Sequence, residues 1–197
     1  MKPVLLALLL IALTGTGSLA ERLSLRPVDQ AGTDPDLVAV RATLLAAAKA
    51  RDLDALRTAA CAPVIDALTA TPALWSTLAD TLEQPGAFAD ASTFTQPYHW
   101  QFPLPASVDP ATAYIVNATN VRLRARPNSS GRVLAGLSYE VLSIRDFTGP
   151  RSYQRAVLGD GTEGWVFGRF LVPLLGAKAD FKRDDTGWRL CAFDPGS

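Results

Sequence analysis

Residues 120–137 read NVRLRARPNSSGRVLAGL. Apolar and basic side chains alternate from Val121 to Arg126, stop at Pro127-Asn128-Ser129-Ser130-Gly131, and then alternate again. A period of two sends successive side chains to opposite faces of a strand, and a Pro/Asn/Ser/Gly cluster marks a turn between strands. Val121, Leu123 and Ala125 are therefore expected to face a core, and Arg122, Arg124 and Arg126 to face outward. The outward arginines have two readings: they solvate and blunt an exposed strand, or they grip an anionic partner.

The same period runs on both sides of this hairpin. AYIVNA (113–118), YEVLSI (139–144), YQRAVL (153–158) and EGWVFG (163–168) are further short β runs, with turn signals at Thr148-Gly149-Pro150 and Gly159-Asp160-Gly161. Six short strands in about sixty residues predict a small barrel or sandwich. Upstream the period is near four. DPDLVAVRATLLAAAKARD (34–52) offers Asp34 as N-cap, Pro35 at the first helical position, and Leu37, Val40, Leu44 and Ala48 on one face. RDLDALRTAACAP (51–63) predicts a second short helix capped by Asp52, with Leu53 and Leu56 inward. TPALWSTLADTLEQPG (71–86) predicts another, capped by Thr71, striped by Leu74, Leu78 and Leu82, and stopped at Pro85-Gly86. Residues 85–112 interleave prolines with Phe88, Phe94, Tyr98, Trp100 and Phe102, which suits an ordered segment laid across a neighbour. KADFKRDDTGWRLCAF (178–193) predicts a closing hairpin bent at Asp184-Asp185-Thr186-Gly187. The expected class is α+β: a mainly helical part (21–112), a small β-barrel (113–175), and a C-terminal hairpin (176–197) that packs back on the helical part.

The chain opens MKPVLLALLLIALTGTGSLA, with one lysine, an apolar run from Val4 to Leu13, and small residues ending Ser18-Leu19-Ala20. This is the layout of a secretory signal peptide, residues 1–20, cleaved after Ala20; an uncleaved anchor is the other reading. The apolar run falls short of the ~20 residues that span a bilayer, and no later run reaches that length. A periplasmic or secreted protein without a stable membrane span is expected. In an oxidising compartment two cysteines, Cys61 and Cys191, most simply form one disulfide; two separate buried thiols are the alternative. The charges are uneven. Residues 21–112 hold six basic and eleven acidic side chains, whereas residues 113–175 hold eight arginines, no lysine and four acids. The two parts could attract each other, or the basic part could meet an acidic partner.

Residues 114–173 resemble a bacterial SH3 (SH3b) domain. The likeness lies in YIVNA, then NVRLRARP with Pro127 entering a polar loop, then GRVLAGLSYEVLSI, and last LGDGTEGWVFGRFLVP with its Gly-Trp-Val. Where that family usually opens its central strand with tryptophan, this chain has Tyr153. The resemblance implies a binding module whose ligand is cell-wall peptide or another exported protein. The flanks LLAAAKARDLDALRTAACAPV and DDTGWRLCAF resemble the first helices and last strand of nuclear-transport-factor-like cone folds. That likeness implies an SH3b unit inserted in another small domain, whose two ends the cysteine bridge would join. A helical cap packed on the barrel is the alternative. The whole order also resembles a group of exported bacterial proteins.

Catalytic chemistry is not expected. His99 is the single histidine, the cysteines are spoken for, and no spacing offers three or four metal ligands. No phosphate-cradling loop or dinucleotide fingerprint occurs, so no cofactor and no metal is expected. The Asn-x-Ser/Thr triplets at Asn117 and Asn128 read as chance matches. Basic residues are too few, and not interleaved with aromatics, for nucleic acid. The candidate ligand-binding residues are Tyr139, Arg145, Tyr153, Arg155 and Trp165: aromatic side chains give contact area and arginine grips carboxylates. For Trp165, core packing competes with ligand stacking. Two other expectations stand beside this one. The arginine face could pack on the chain's own acidic helices, a structural role. A cone-like N-terminal domain could hold a small-molecule or enzymatic pocket lined by Trp75, Tyr98, His99 and Trp100.

Overall fold

The computed structural model describes residues 22–196; the expected signal peptide and its cleavage after Ala20 lie outside the described residues. Four helices come first: α1 (Pro35–Ala50), α2 (Leu53–Arg57), α3 (Ala62–Ala70) and α4 (Leu74–Leu82). Eleven strands follow: β1 (Ala87–Asp90), β2 (Thr93–Gln96), β3 (Ala113–Val116), β4 (Val121–Arg124), β5 (Val133–Leu137), β6 (Val141–Ser143), β7 (Tyr153–Leu158), β8 (Glu163–Phe167), β9 (Leu171–Pro173), β10 (Lys178–Asp184) and β11 (Gly187–Asp194). They form two antiparallel sheets, so the chain is α+β.

The four-stranded sheet has the order β1-β2-β10-β11. Its strands come from both sides of the larger sheet in sequence, and β2 pairs with β10 so that Phe94 faces Phe181. Those rings meet edge-on at 5.9 Å and pack with Leu37, Leu44, Leu56, Leu68 and Leu78 from the helices. The terminal hairpin therefore completes the helical part and does not extend the second sheet. Its outer edge is covered: the Leu190 N–H donates to the Ala59 carbonyl, and the Cys61 N–H donates to the Leu190 carbonyl. At this seam Cys61 and Cys191 form a disulfide. A cysteine pair so joined suggests an oxidising compartment outside the cytoplasm. No helix among the described residues is long and apolar enough to cross a membrane.

One carboxylate ties α1 to the hairpin. Asp34 Oδ1 accepts from the Asp36 and Leu37 N–H groups, which starts the helix. Its Oδ2 accepts from Trp188 Nε1 at 2.9 Å and from Arg183 Nη1 at 3.1 Å. The Trp188 bond is the largest of the effects that hold this carboxyl below its usual range. Asp34→Ala removes a cap and a charge-assisted bond together, so its unfolding free energy should fall by about 2 kcal/mol in urea titrations at pH 7. Because the folded pKa is depressed, the loss should be present above about pH 4 and fade as the pH drops through the folded value.

The second sheet uses residues 113–173 alone, in the order β5-β4-β8-β7-β6-β3-β9. Val116, Val121, Leu123, Leu137, Leu142, Ile144, Ala156, Leu158, Val166 and Leu171 bury one another, and among the described residues no α-helix joins this cluster. A third apolar cluster, with Leu25, Ala87, Tyr98, Ile115, Val141 and Leu174, sits where the two sheets meet.

Several local expectations are corrected. The last helix starts at Leu74 with no side-chain cap, because Thr71-Pro72-Ala73 forms a turn in which the Leu74 N–H donates to the Thr71 carbonyl. Residues 51–63 do not make one helix: α2 ends at Arg57, and Pro63 lies in the first turn of α3. Residues 87–96 make a hairpin in a stretch whose prolines and aromatics hid two four-residue strands. The segment before Asp34, part of the region expected to be mainly helical, is an extended strap: Leu25 N–H donates to the Tyr139 carbonyl, Val141 N–H to the Leu23 carbonyl, and Tyr98 Oη to the Leu25 carbonyl at 2.5 Å. Ala125 is exposed because β4 ends at Arg124; the irregularity in β4–β5 pairing lies on β5, where Leu134 is the extra residue, and leaves the alternation of Val121–Arg124 intact.

Candidate functional site

The outer face of β4, β8 and β7 gathers arginines and aromatic rings in rows. Arg124 is opposite Trp165 on β8, and Trp165 is opposite Arg155 on β7. Two residues further along, Phe167 is opposite Tyr153, their rings 5.2 Å apart and edge-on. Alternation puts Arg122 on the same face as Arg124, while Val121 and Leu123 go inward. Gly164 allows the strands to approach: a Cβ there would sit 2.7 Å from Leu123 Cγ and 3.0 Å from the Arg124 carbonyl oxygen.

A cleft of about 260 Å³ opens on this face, lined by Asn120, Arg122, Arg124, Tyr153, Phe167 and Phe170 among others. No carboxylate lines it among the described residues. Arg124 Nη1 donates to the Gly131 carbonyl at 2.8 Å, which orients its guanidinium and leaves its other N–H groups uncommitted. Arg122 is exposed, and its side chain makes no hydrogen bond or ion pair among the described residues. At the rim, Arg169 stacks on Phe170, its Cζ 4.5 Å from the ring centre. Three guanidinium groups beside four aromatic rings make a surface that suits carboxylates with apolar neighbours.

The five sequence-derived candidates divide. Tyr153 and Trp165 lie on this face; Trp165 is half-buried on the outside of β8, between inward Gly164 and Val166, so it is not a core residue. Arg155 borders the face but pairs with Glu163 at 2.6 Å. Arg145 lines a separate recess of about 470 Å³ with Arg155, Asp146 and Glu163, where acids balance the bases. Tyr139 lines neither; it takes a left-handed φ of 66° at the turn into β6, and its carbonyl receives the Leu25 N–H. Phe167, Phe170 and Arg169 were missed. The signal was present, since Trp165 and Phe167 sit two apart on one strand, but which strands adjoin β8 is a tertiary fact.

The other recesses make weaker sites. Between α1 and α4 an open groove of about 520 Å³ has both its charged side chains already paired, Arg41 with Asp29 and Glu83 with Lys49. A groove of about 470 Å³ under Leu23, Val108, Val141 and Leu142 is mostly apolar. The four aromatic residues proposed for a cone-like pocket divide between packed regions. Trp75 is buried among the helices and Tyr98 in the cluster between the sheets. His99 is 5% exposed, stacked on Trp100, and burial pushes its imidazole down to about 4 against an opposing bond to the Leu174 backbone. Among the described residues no three His, Cys, Asp or Glu side chains gather as metal ligands, and no ion pair joins an arginine of residues 113–175 to an acid of the helices.

No protein-family model, curated protein or solved structure matches the chain.

Proposed function

We propose that this protein is a non-catalytic binding module of the cell envelope, in which residues 113–175 close into an SH3b-like barrel that presents a ligand surface. Its ligand is cell-wall peptide or another exported protein. The cleft lined by Arg122, Arg124, Tyr153, Phe167 and Phe170, with no acid in its wall, carries this reading. The barrel is supported by strands whose apolar side chains bury one another without a covering helix, as a sheet curled on itself requires. The helices and the terminal hairpin brace the barrel from one side.

The test is co-sedimentation of the secreted chain with purified peptidoglycan. Binding is expected at low salt and should weaken as salt screens the guanidinium contacts. Arg122→Glu with Arg124→Glu should cut the bound fraction by about tenfold or more, the scale of one charge-assisted contact, while circular dichroism stays unchanged. Absence of sedimentation at low salt would remove the wall ligand and leave a protein partner, to be sought by crosslinking.

A further inference from the structure

Resting on that reading of the face, we infer that the ligand is an extended peptide segment bearing two carboxylates at positions i and i+2. Arg122 and Arg124 are themselves i and i+2 on one strand, so their side chains leave the sheet about 7 Å apart. A peptide in extended conformation repeats its like-facing side chains at the same interval. Two acids separated by one residue therefore meet both arginines at once. Two adjacent acids cannot, because the second points away.

The chemistry of the wall agrees with this spacing. Among the described residues neither arginine is committed to a carboxylate: the Arg122 side chain has no partner there, and that of Arg124 holds only a backbone carbonyl. Residues 113–175 use arginine eight times and lysine never, and guanidinium is the group that binds carboxylate through two parallel bonds. Trp165 and Phe167 lie on the neighbouring strand beside these arginines. They offer apolar surface for the methylene stems of glutamate and exclude water from the ion pairs, which strengthens them.

The experiment is a fluorescence-anisotropy titration of the secreted chain with three labelled peptides of equal length. One carries Glu-x-Glu, one carries the two glutamates adjacent, and one carries Gln-x-Gln. The Glu-x-Glu peptide should bind about tenfold or more tighter than either other peptide, the difference one well-made ion pair supplies. Arg122→Gln or Arg124→Gln should each erase most of that preference, while Arg132→Gln, before β5, should leave it intact. If both glutamate peptides bind alike and the glutamine peptide does not, the spacing is wrong although the anionic-ligand surface stands. If no peptide binds while peptidoglycan still sediments with the protein, the peptide-segment inference fails and the wall reading survives. If nothing binds, both are overturned.

Discussion

The Cys61→Ser/Cys191→Ser protein is expected to unfold at a markedly lower denaturant concentration than the wild type. The two cysteines are 130 positions apart in sequence. Closing so long a loop removes freedom from the unfolded chain, worth about 4–5 kcal/mol in the chain-entropy model. The native arrangement should persist without the bond, because the Leu190 N–H donates to the Ala59 carbonyl and the Cys61 N–H to the Leu190 carbonyl, which holds the same two segments together. Far-UV circular dichroism of the variant should therefore match the wild type in water, while the urea midpoint falls. Reduction with dithiothreitol should reproduce the shift in the wild type and have no effect on the variant. Equal midpoints for oxidised and reduced wild type would show that the bridge does not constrain the unfolded ensemble.

Acid should destabilise the fold through His99, in a window set by its burial. In the native protein this imidazole is pushed down to about 4, whereas in the unfolded chain it titrates at its ordinary value of 6.5. A base with a depressed folded pKa is neutral in both states above 6.5, so full stability is present there. Between 6.5 and about 4 the unfolded chain takes up the proton and the native one does not. Stability should fall by as much as about 3 kcal/mol across that interval. Unfolding free energy measured at half-unit pH steps in wild type and His99→Gln checks this. The readout is the variant's slope, not its absolute stability, and it should be nearly flat from pH 6.5 to 4.5. Asp34, Asp90, Asp160 and Asp184 also have depressed values, but their losses begin near pH 4 and fall outside the window. An unchanged slope in His99→Gln would assign the acid sensitivity elsewhere.

The consequences of the site are less visible to stability than to binding. Arg122 is exposed, so its replacement should leave both unfolding curves where they are. Phe94 and Phe181, fully buried at the crossing of β2 and β10, are the opposite case. This separation lets the candidate surface be altered without losing the fold that presents it.

Local chemistry was legible residue by residue. Asp34 and Asp52 could be recognised as caps, and alternation placed Val121 and Leu123 inside and Arg122 outside, because these depend on backbone geometry within a few residues. The hairpin at Asp184–Gly187 was legible for the same reason. With only two cysteines a single bridge was the simplest expectation, and the fold decided for it over two separate thiols. What it could not decide was which distant strands adjoin. Phe94 facing Phe181, the hairpin of residues 87–96, and the row Arg124–Trp165–Arg155 all arise from pairings between segments far apart in the chain. Alternation says which face a side chain takes, but a strand's neighbours are set by long-range hydrogen bonding and by shared burial. For that reason Arg145 and Tyr139 were grouped with residues whose cleft they do not line, and Phe167 and Phe170, which line it, were not singled out.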